Sequence, residues 1–398
     1  MISVKSAIKQ IRSNVKKTSE EIITIENSIG RVLSKKYSSN STNPPFNVSS
    51  MDGYACRAND LKKLPKTLRI IGKSAAGKNF DGIIGKNETV RVLTGSKVPD
   101  GTDKVIIQEN TSNRTDQTIT IDKLNSNTFI RKKGMDFKLS DDWSKIGYPI
   151  SIKNIALGSA MDIQKIKVRA KPKVAILSTG DELVSLGKKT KDFQIISSSS
   201  VALKPLIESF GASIIDLGIS KDNKKSILEK INKHKNFDLI VTIGGASVGD
   251  KDLVKSSLIE KGFKMLFWKV AMRPGKPVFF GFLDKTPIIG LPGNPVSSYV
   301  CALIFVKAAI HKMLDRKDKI INEKTGIIGS KLAKNDERED YLRARIVKKQ
   351  NKQLFIYPYK RQDSSMISLL AKSDCLIKRA PFAKKLEVGD SVSFIEIP

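Results

Sequence analysis

Three apolar runs, each closed by a glycine-containing turn and followed by a helical pattern, dominate the middle of the chain: Lys173-VAILSTGDE-Leu183, Asp238-LIVTIGGASVGDKD-Leu253 and Pro287-IIGLPGNPVSS-Tyr299. A short apolar run with such a turn and helix is the βα unit of a parallel sheet, and ligands of such sheets gather outside the carboxyl ends of the strands. One crevice is therefore expected to collect Thr179, Gly180, Asp181, Glu182, Gly244, Gly245, Asp250, Asp252, Gly293 and Asn294. Strands near Val174, Ile214, Leu239, Val278 and Ile288 alternate with helices near 200–210, 224–235, 252–261 and 296–314, which predicts a doubly wound α/β domain.

A chain of 398 residues is too long for one core and calls for two to four domains. Residues 1–40 read as two amphipathic helices, one carrying Val4, Ile8, Ile11 and Val15 at helical spacing, the other patterned by Ile22, Ile25, Ile29, Val32 and Leu33. Between Pro44 and Ala55 a mixture of Pro, Asn, Ser and Gly around a lone Asp52 predicts a shaped loop rather than a packed element. From Leu68 to Leu124 short β runs separated by Gly, Pro, Asn and Asp predict a small barrel or sandwich. A helix capped by Ser151, with Ile152, Ile155, Ala156 and Ala160 on one face, follows. After Lys317 β runs return at Tyr341–Val347, Leu354–Pro358 and Ser391–Pro398, with a short helix near Ser365 to Ala371. The order is helical, β, α/β, β.

Composition excludes several classes. The longest candidate for a membrane span, Tyr299 to Val306, is cut off by Lys307, and the amino-terminal segment has no continuous apolar stretch; both fit a cytoplasmic protein with no membrane partner. Cys56, Cys301 and Cys375 lie far apart and His234 and His311 are the only histidines, so neither a disulfide framework nor a zinc spacing is present. A metal here would sit on oxygen ligands, as Mg²⁺ does. Lys and Arg number 71 against 40 Asp and Glu, a net charge of +31. The lysines are dispersed and aromatics are only 6%, so the excess points away from nucleic acid and towards the attraction of small anions.

Four motifs carry chemistry. Gly244-Gly245-Ala246-Ser247-Val248-Gly249-Asp250-Lys251-Asp252 enters a helix, so its amides can converge on an anion; it is neither a Walker A loop nor G-x-G-x-x-G, and a plain strand-to-helix turn would serve as well. Its two aspartates beside such a turn suit a Mg²⁺ bridging protein and phosphate oxygens. Ser178-Thr-Gly-Asp-Glu182 ends the first strand and reads equally as a helix cap. Lys269 and Met272-Arg273-Pro-Gly-Lys276-Pro277 place three cations on a proline-stiffened stretch able to clamp an oxyanion, or merely to meet solvent. Leu291-Pro292-Gly-Asn294-Pro-Val-Ser297-Ser298 enters the long helix, where amides and Ser297 hold an anion or simply cap.

Taken in order, P-P-F-x-x-S-x-M-D-G-Y-A, T-G-D-E-L, G-G-x-S-x-G-x-x-D, R-P-G-K-P and G-L-P-G-N-P-V-S resemble the molybdopterin molybdotransferases, the MoeA and gephyrin E-domain family, over nearly the whole chain. The resemblance implies a multidomain α/β plus β subunit. Its parts would be a discontinuous helical or extended arm (1–43 and 129–170), a small β domain (44–128), a MogA/MoaB-like α/β domain (171–317) and a C-terminal β-barrel (318–398). It implies insertion of molybdate into adenylylated molybdopterin, with Mg²⁺-dependent cleavage of the adenylate and release of AMP. It further implies a homodimer with shared active sites and contact with a molybdopterin adenylyltransferase. By match to the motifs, Asp52, Thr94, Asp136, Glu182, Asp222 and Asp252 would surround metal, pterin and adenylate, Glu182 and Asp252 as metal ligands. Lys269, Arg273, Lys276, Ser297, Arg343 and Ser364 would form the oxyanion side. Asp52, Glu182, Asp252 and Lys269 would be catalytic, while Gly244, Gly245, Ser247, Gly249, Asp250, Pro292 and Asn294 would bind substrate. Asn47, Met135 and Asp363 depart from the family pattern, and a carboxylate at 363 would repel molybdate unless it pointed away. Two other readings stand beside it: adenylyl transfer to molybdopterin, which the MogA/MoaB-like domain resembles, and a gephyrin-like binding scaffold, to which no sequence feature points.

Overall fold

The computed structural model describes residues 1–232, 236–245, 253–348 and 353–398. In its α/β domain six strands lie in the order Ser213–Ser220, Lys173–Thr179, Leu239–Ile243, Thr286–Leu291, Phe279–Leu283, Lys264–Trp268. Even and odd positions of the central strands feed different cores. Val174, Ile176, Val241 and Ile289 face the helices Ser198–Ser209 and Pro295–Met313, while Ala175, Leu177, Ile240 and Ile288 face Lys224–Asn232 and Leu253–Glu260. A strand buried on both faces must be apolar throughout, which is why these runs stand out in the sequence.

The first four strands are parallel, and Ser178, Ile243 and Leu291 lie side by side at their carboxyl ends. Phe279–Leu283 runs antiparallel to both its neighbours, Thr286–Leu291 and Lys264–Trp268, so the sheet is mixed where sequence patterning expects only βα units. Phe279–Leu283 and Thr286–Leu291 leave only Asp284 and Lys285 between them, with Asp284 at φ +53. Two residues make a hairpin turn and leave no room for a crossover helix. The helix Pro295–Met313 is long and apolar enough to cross a membrane, but most of it is buried inside the protein as a core helix.

Two sequence expectations about the arm and its neighbour are corrected. Residues Glu20–Thr24 form a strand, not a second helix, paired antiparallel with Lys165–Arg169. The adjacent β-branched Ile22 and Ile23 suit an edge ladder, and Ile22 is exposed rather than part of a buried helical stripe. Gly53–Cys56, expected to lie in a loop, is a central buried strand between Glu88–Val92 and Lys104–Ile107. Tyr54 and Cys56 anchor one core of that module and Ala55 the other, an alternation four residues long that the surrounding polar sequence hides.

The helix Ile152–Ala160 is capped by Ser151 as expected, and Asn154 completes a capping box. Its buried face is Gly158 with Ile155 and Leu157 packed beside it, whereas Ile152 is exposed. The helix Val4–Asn14 buries Val4, Ala7 and Ile11 against the chain's own long helix. Its apolar stripe is therefore covered within the chain. In the C-terminal domain Glu339–Lys348, Leu354–Pro358, Glu323–Ile328, Ser391–Glu396 and Cys375–Arg379 pair in sequence around a ring, and the last pairs back to the first, which closes a barrel. Met272–Arg273 joins it as a parallel edge, fixing the Arg-Pro-Gly-Lys-Pro stretch to the barrel.

Candidate functional site

The row of strand ends opens into a cavity of about 670 Å³, within the usual range for ligand sites. Thr179, Glu182, Asp222, Gly244, Gly245, Pro292, Gly293 and Asn294 line it. The backbone explains the glycines: Gly244 has φ +93 and Gly245 φ +62, and a Cβ on Gly244 would lie 2.6 Å from the Thr179 carbonyl oxygen. A Cβ on Gly245 would meet Val254 at 2.1 Å. Any side chain would push the second turn off the first, so the two loops can converge only with glycine there. Ser247, Gly249, Asp250 and Asp252 lie outside the described residues.

One wall is acidic. The Asp222 amide donates to Asp181 Oδ1 at 3.1 Å, which draws the loop after Ser220 onto the Thr-Gly-Asp-Glu turn. Partial burial pushes the Asp222 carboxyl above its ordinary value, and the negative charges of Asp181 and Glu182 push the same way. The group is thus held in a field that asks for a cation. Among the described residues no three His, Cys, Asp or Glu side chains converge as a ready-made metal set. Mg²⁺ characteristically takes one or two carboxylates and completes its shell with water and substrate phosphate, so Glu182 and Asp222 suit it without a protein cage.

A second part of the lining is built by two domains, Asn294 and Pro295 from one and Ser365 and Ile367 from the other. The long helix begins at Pro295, and Asn294 Nδ2 donates to Ser364 Oγ at 2.9 Å while the Val296 amide donates to the Ser364 carbonyl at 3.1 Å. Ser297 is buried one step along. The Ser364 turn is held in place by Arg343, only 1% exposed, whose Nη1 and Nη2 donate to the carbonyls of Met366 and Asp363 at 2.9 and 2.8 Å. Arg343 therefore reaches the cavity through the turn it supports. The Asp363 carboxylate accepts from the Ser365 amide and hydroxyl at 2.8 and 2.6 Å, and these bonds lower its pKa. That departure from the family pattern is absorbed within its own turn.

The cations are distributed differently from the sequence expectation of one clamp. Arg273 Nε donates to Asp340 at 2.9 Å, Nη1 to Asp336 at 3.2 Å and Nη2 to Asn335 at 3.1 Å, so its guanidinium ties the loop to the barrel. Lys276 is exposed and its carbonyl accepts from Val270 and Val278; the neighbouring Pro277 lines the cavity. The Lys269 ammonium lies 3.9 Å from the centre of the Trp268 ring, which Lys255 also approaches at 3.6 Å.

Asp52, Thr94 and Asp136 belong elsewhere in the chain. Asp52 Oδ1 accepts from both the amide and the hydroxyl of Thr94 at 2.7 Å, and these bonds lower its pKa. Asp136 accepts from Asn43 and lines a second cavity of about 600 Å³ with Pro44, Phe46, Gly95 and Arg131. That cavity is lined by residues 43–136 and the first by residues 179–367, with no residue in common. Ile195, Ser197, Ser198, Ser199, Ser365 and Ile367, which none of the motifs marks, also line the first cavity. The run of four serines from Ser197 to Ser200 at the start of a helix was a visible signal, since such residues cap helices and bind anions.

Residues 2–161 match the family model of the MoeA N-terminal region (domain I and II), residues 175–312 that of a probable molybdopterin binding domain, and residues 325–397 that of the MoeA C-terminal region (domain IV). A molybdopterin molybdenumtransferase of Haemophilus influenzae is 34% identical over 379 residues, spanning 94% of this chain and 93% of its own length. One from Nostoc sp. is 33% identical over 301 residues, 74% of this chain and 69% of its own length. The crystal structure of a molybdopterin biosynthesis MoeA protein from a Pyrococcus species superposes with a TM-score of 0.83 at 29% identity, covering 100% of this chain and 99% of the other.

Proposed function

Because the chain belongs to the molybdopterin molybdenumtransferase family, we propose that its crevice takes adenylylated molybdopterin and molybdate, and releases AMP and the finished molybdenum cofactor. The broader statement stands on kinship alone: this is a transferase of molybdenum cofactor biosynthesis. The observation that carries the finer reading is the cavity itself, which is lined by the carboxylates Glu182 and Asp222 and by the hydroxyl- or amide-bearing residues Ser197, Ser198, Ser199, Gly293, Asn294 and Ser365. A phosphoanhydride has to be met by a cation on one side and by hydrogen-bond donors on the other.

Mg²⁺ bound at Glu182 and Asp222, with Asp252 as a further candidate, would neutralise charge developing on the phosphate oxygens. Gly244 and Gly245 bring backbone close to the anhydride without steric cost. The turns at Pro292–Asn294 and Ser364 orient donors at the mouth of the long helix, and Ser297, Lys276, Lys269 and Arg273 are the candidates for receiving molybdate. Arg273 would have to share a guanidinium already bonded to Asp340 and Asp336.

The separate cavity around Asp136, near the Asp52–Thr94 pair, supports a two-fold dimer in which each crevice is completed by that face of the partner subunit. Contact with a molybdopterin adenylyltransferase, which would supply the substrate, and a cytoplasmic location belong to the same reading. The test is incubation of the purified protein with adenylylated molybdopterin, Mg²⁺ and molybdate, assaying AMP release and reconstitution of a molybdenum-free apoenzyme. Release of AMP that needs both Mg²⁺ and molybdate supports insertion. Transfer of AMP from ATP to molybdopterin without molybdate would replace this reading with adenylyl transfer.

A further inference from the structure

A third cavity, of about 260 Å³, lies where the α/β domain meets the C-terminal barrel. Its walls are apolar and come from both sides: Phe210 and Leu303 from the α/β domain, Ile321 from the connection, and Leu376 and Ile395 from the barrel. Lys307 projects into it from the long helix and Arg316 from the turn that follows. The two cations differ in what they have left to give. Arg316 donates Nε and Nη2 to Asp318 at 2.8 and 2.6 Å and Nη1 to the Phe210 carbonyl at 3.2 Å, so its donors and charge are engaged. Lys307 meets the Phe210 ring, 5.7 Å from its centre, and has no ion pair among the described residues. Burial lowers its pKa, the charge of Arg316 lowers it further, and the acidic group acting against this, Asp318, is already held by Arg316.

A largely apolar cavity in whose wall Arg316 is already paired with Asp318 and Glu396 with Lys324, while Lys307 has no ion pair among the described residues, is complementary to one negative charge on an apolar body. A dianion fits worse, because with Arg316 neutralised by Asp318 only Lys307 is left to meet the charge. Size narrows it further: at roughly 30 Å³ per water-sized group the space holds about nine such groups. One turn beyond Lys307 the fully buried His311 leaves both ring nitrogens without a hydrogen-bond partner, and burial together with Arg316 lowers its pKa to about 3. His311 is therefore neutral and does not stand in for Lys307, while Arg316 is committed to Asp318.

From this geometry we propose that the cavity at the domain junction is a binding site for a small monocarboxylate with an apolar body, and that its occupancy strengthens nucleotide binding in the crevice. The coupling follows from the barrel: it supplies Leu376 and Ile395 to this cavity and Ser365 and Ile367 to the crevice. A ligand that fixes the seating of the barrel biases both sites, and such coupling is reciprocal. The second limb rests on the reading of the crevice as a nucleotide site; the first does not.

The test uses benzoate, which has nine non-hydrogen atoms, and benzamide, its neutral counterpart of the same shape, titrated into the whole protein by calorimetry or ligand-observed NMR. Saturable benzoate binding with Kd on the order of 1 mM, and benzamide roughly tenfold weaker or worse, is expected. Lys307→Met, which keeps the stem and removes the charge, should erase that preference, and Lys307→Arg should keep it. No saturable benzoate binding, equal affinity for the two probes, or a preference unchanged in Lys307→Met would overturn the site. AMP titrated with and without saturating benzoate should bind severalfold more tightly in its presence, and an unchanged Kd would remove the coupling. If AMP fails to bind even without benzoate, the reading of the crevice is at fault, while the benzoate arm still decides the cavity.

Discussion

Asp52 and Asp222 are both aspartates on loops beside cavities, and the protein treats them in opposite ways. Asp52 accepts two short hydrogen bonds from Thr94, which favour its charged form and lower its pKa. Asp222 is partly buried next to Asp181 and Glu182, which disfavour its charged form and raise its pKa. The N-terminal β face thus holds a carboxylate already satisfied by its own chain, fit for orienting a substrate. The α/β crevice holds carboxylates left in mutual repulsion, which a cation would relieve.

Removing the repelling side should have the largest effect. Glu182→Ala is expected to lower AMP release by roughly 10²-fold or more, the scale of losing one preorganised electrostatic contact, with the fold intact by circular dichroism. Asp52→Ala should also be inactive, but through substrate orientation, so the two lesions should complement if the two faces belong to different subunits of one site. After subunit exchange about half the dimers would be mixed, each with one whole site, and activity should return to about a quarter of wild type. Mixed dimers verified by differential tagging that remain as inactive as either parent would break the comparison, because each face would then work within its own chain.

Next in size is the support beneath the donor wall. Arg343→Ala removes a buried guanidinium and its bonds to the carbonyls of Asp363 and Met366 and should cost about 2–4 kcal/mol in stability, read by denaturant unfolding. Binding of AMP should weaken along with it, since the Ser364 turn that meets Asn294 loses its anchor. A stable variant with unaltered binding would show that the turn is held by its own Asp363–Ser365 bonds.

What the sequence shows and what it hides follows the same physics. The parallel strands were legible because burial on both faces demands unbroken apolar runs, and Gly244 and Gly245 because their backbone admits no Cβ. The strand Gly53–Cys56 was not, since it lies in a segment otherwise dominated by turn-forming residues and alternates for only four positions. Ile22, Ile25 and Ile29 fall at helical spacing, yet ladder pairing with Lys165–Arg169, more than a hundred residues away, decides the matter. In the site, Glu182, Asp222 and Asn294 could be found from motifs because each follows a strand end or enters a helix. The engagement of Arg273 by Asp340, and of Asp363 by Ser365, depends on folded geometry that no motif encodes.

The smallest expected effect is on stability, and it has a definite sign. The folded pKa of Asp222 lies above its ordinary value near 3.8, so the native state binds that proton more readily than the unfolded chain does. Stability then falls as pH rises from the unfolded pKa to the folded one; the penalty is complete at neutral pH and absent below about 3.8. Asp52 behaves in reverse: its contribution is present above its unfolded value and fades as pH falls through the lowered folded one. Asp222→Asn removes the repelled charge and should raise Tm at pH 7 in Mg²⁺-free buffer, by on the order of 1–2 °C given the partial exposure of the group. The gain should shrink towards pH 4. Added Mg²⁺ should stabilise the wild type more than the variant, because a ligand that binds only the folded state raises stability with its concentration over Kd. Scanning fluorimetry across pH 4–7 with and without Mg²⁺ reads all three. A variant no more stable at pH 7, with the same Mg²⁺ response as wild type, would mean that Asp222 is already relieved by neighbours in its own chain, and the contrast with Asp52 would be lost.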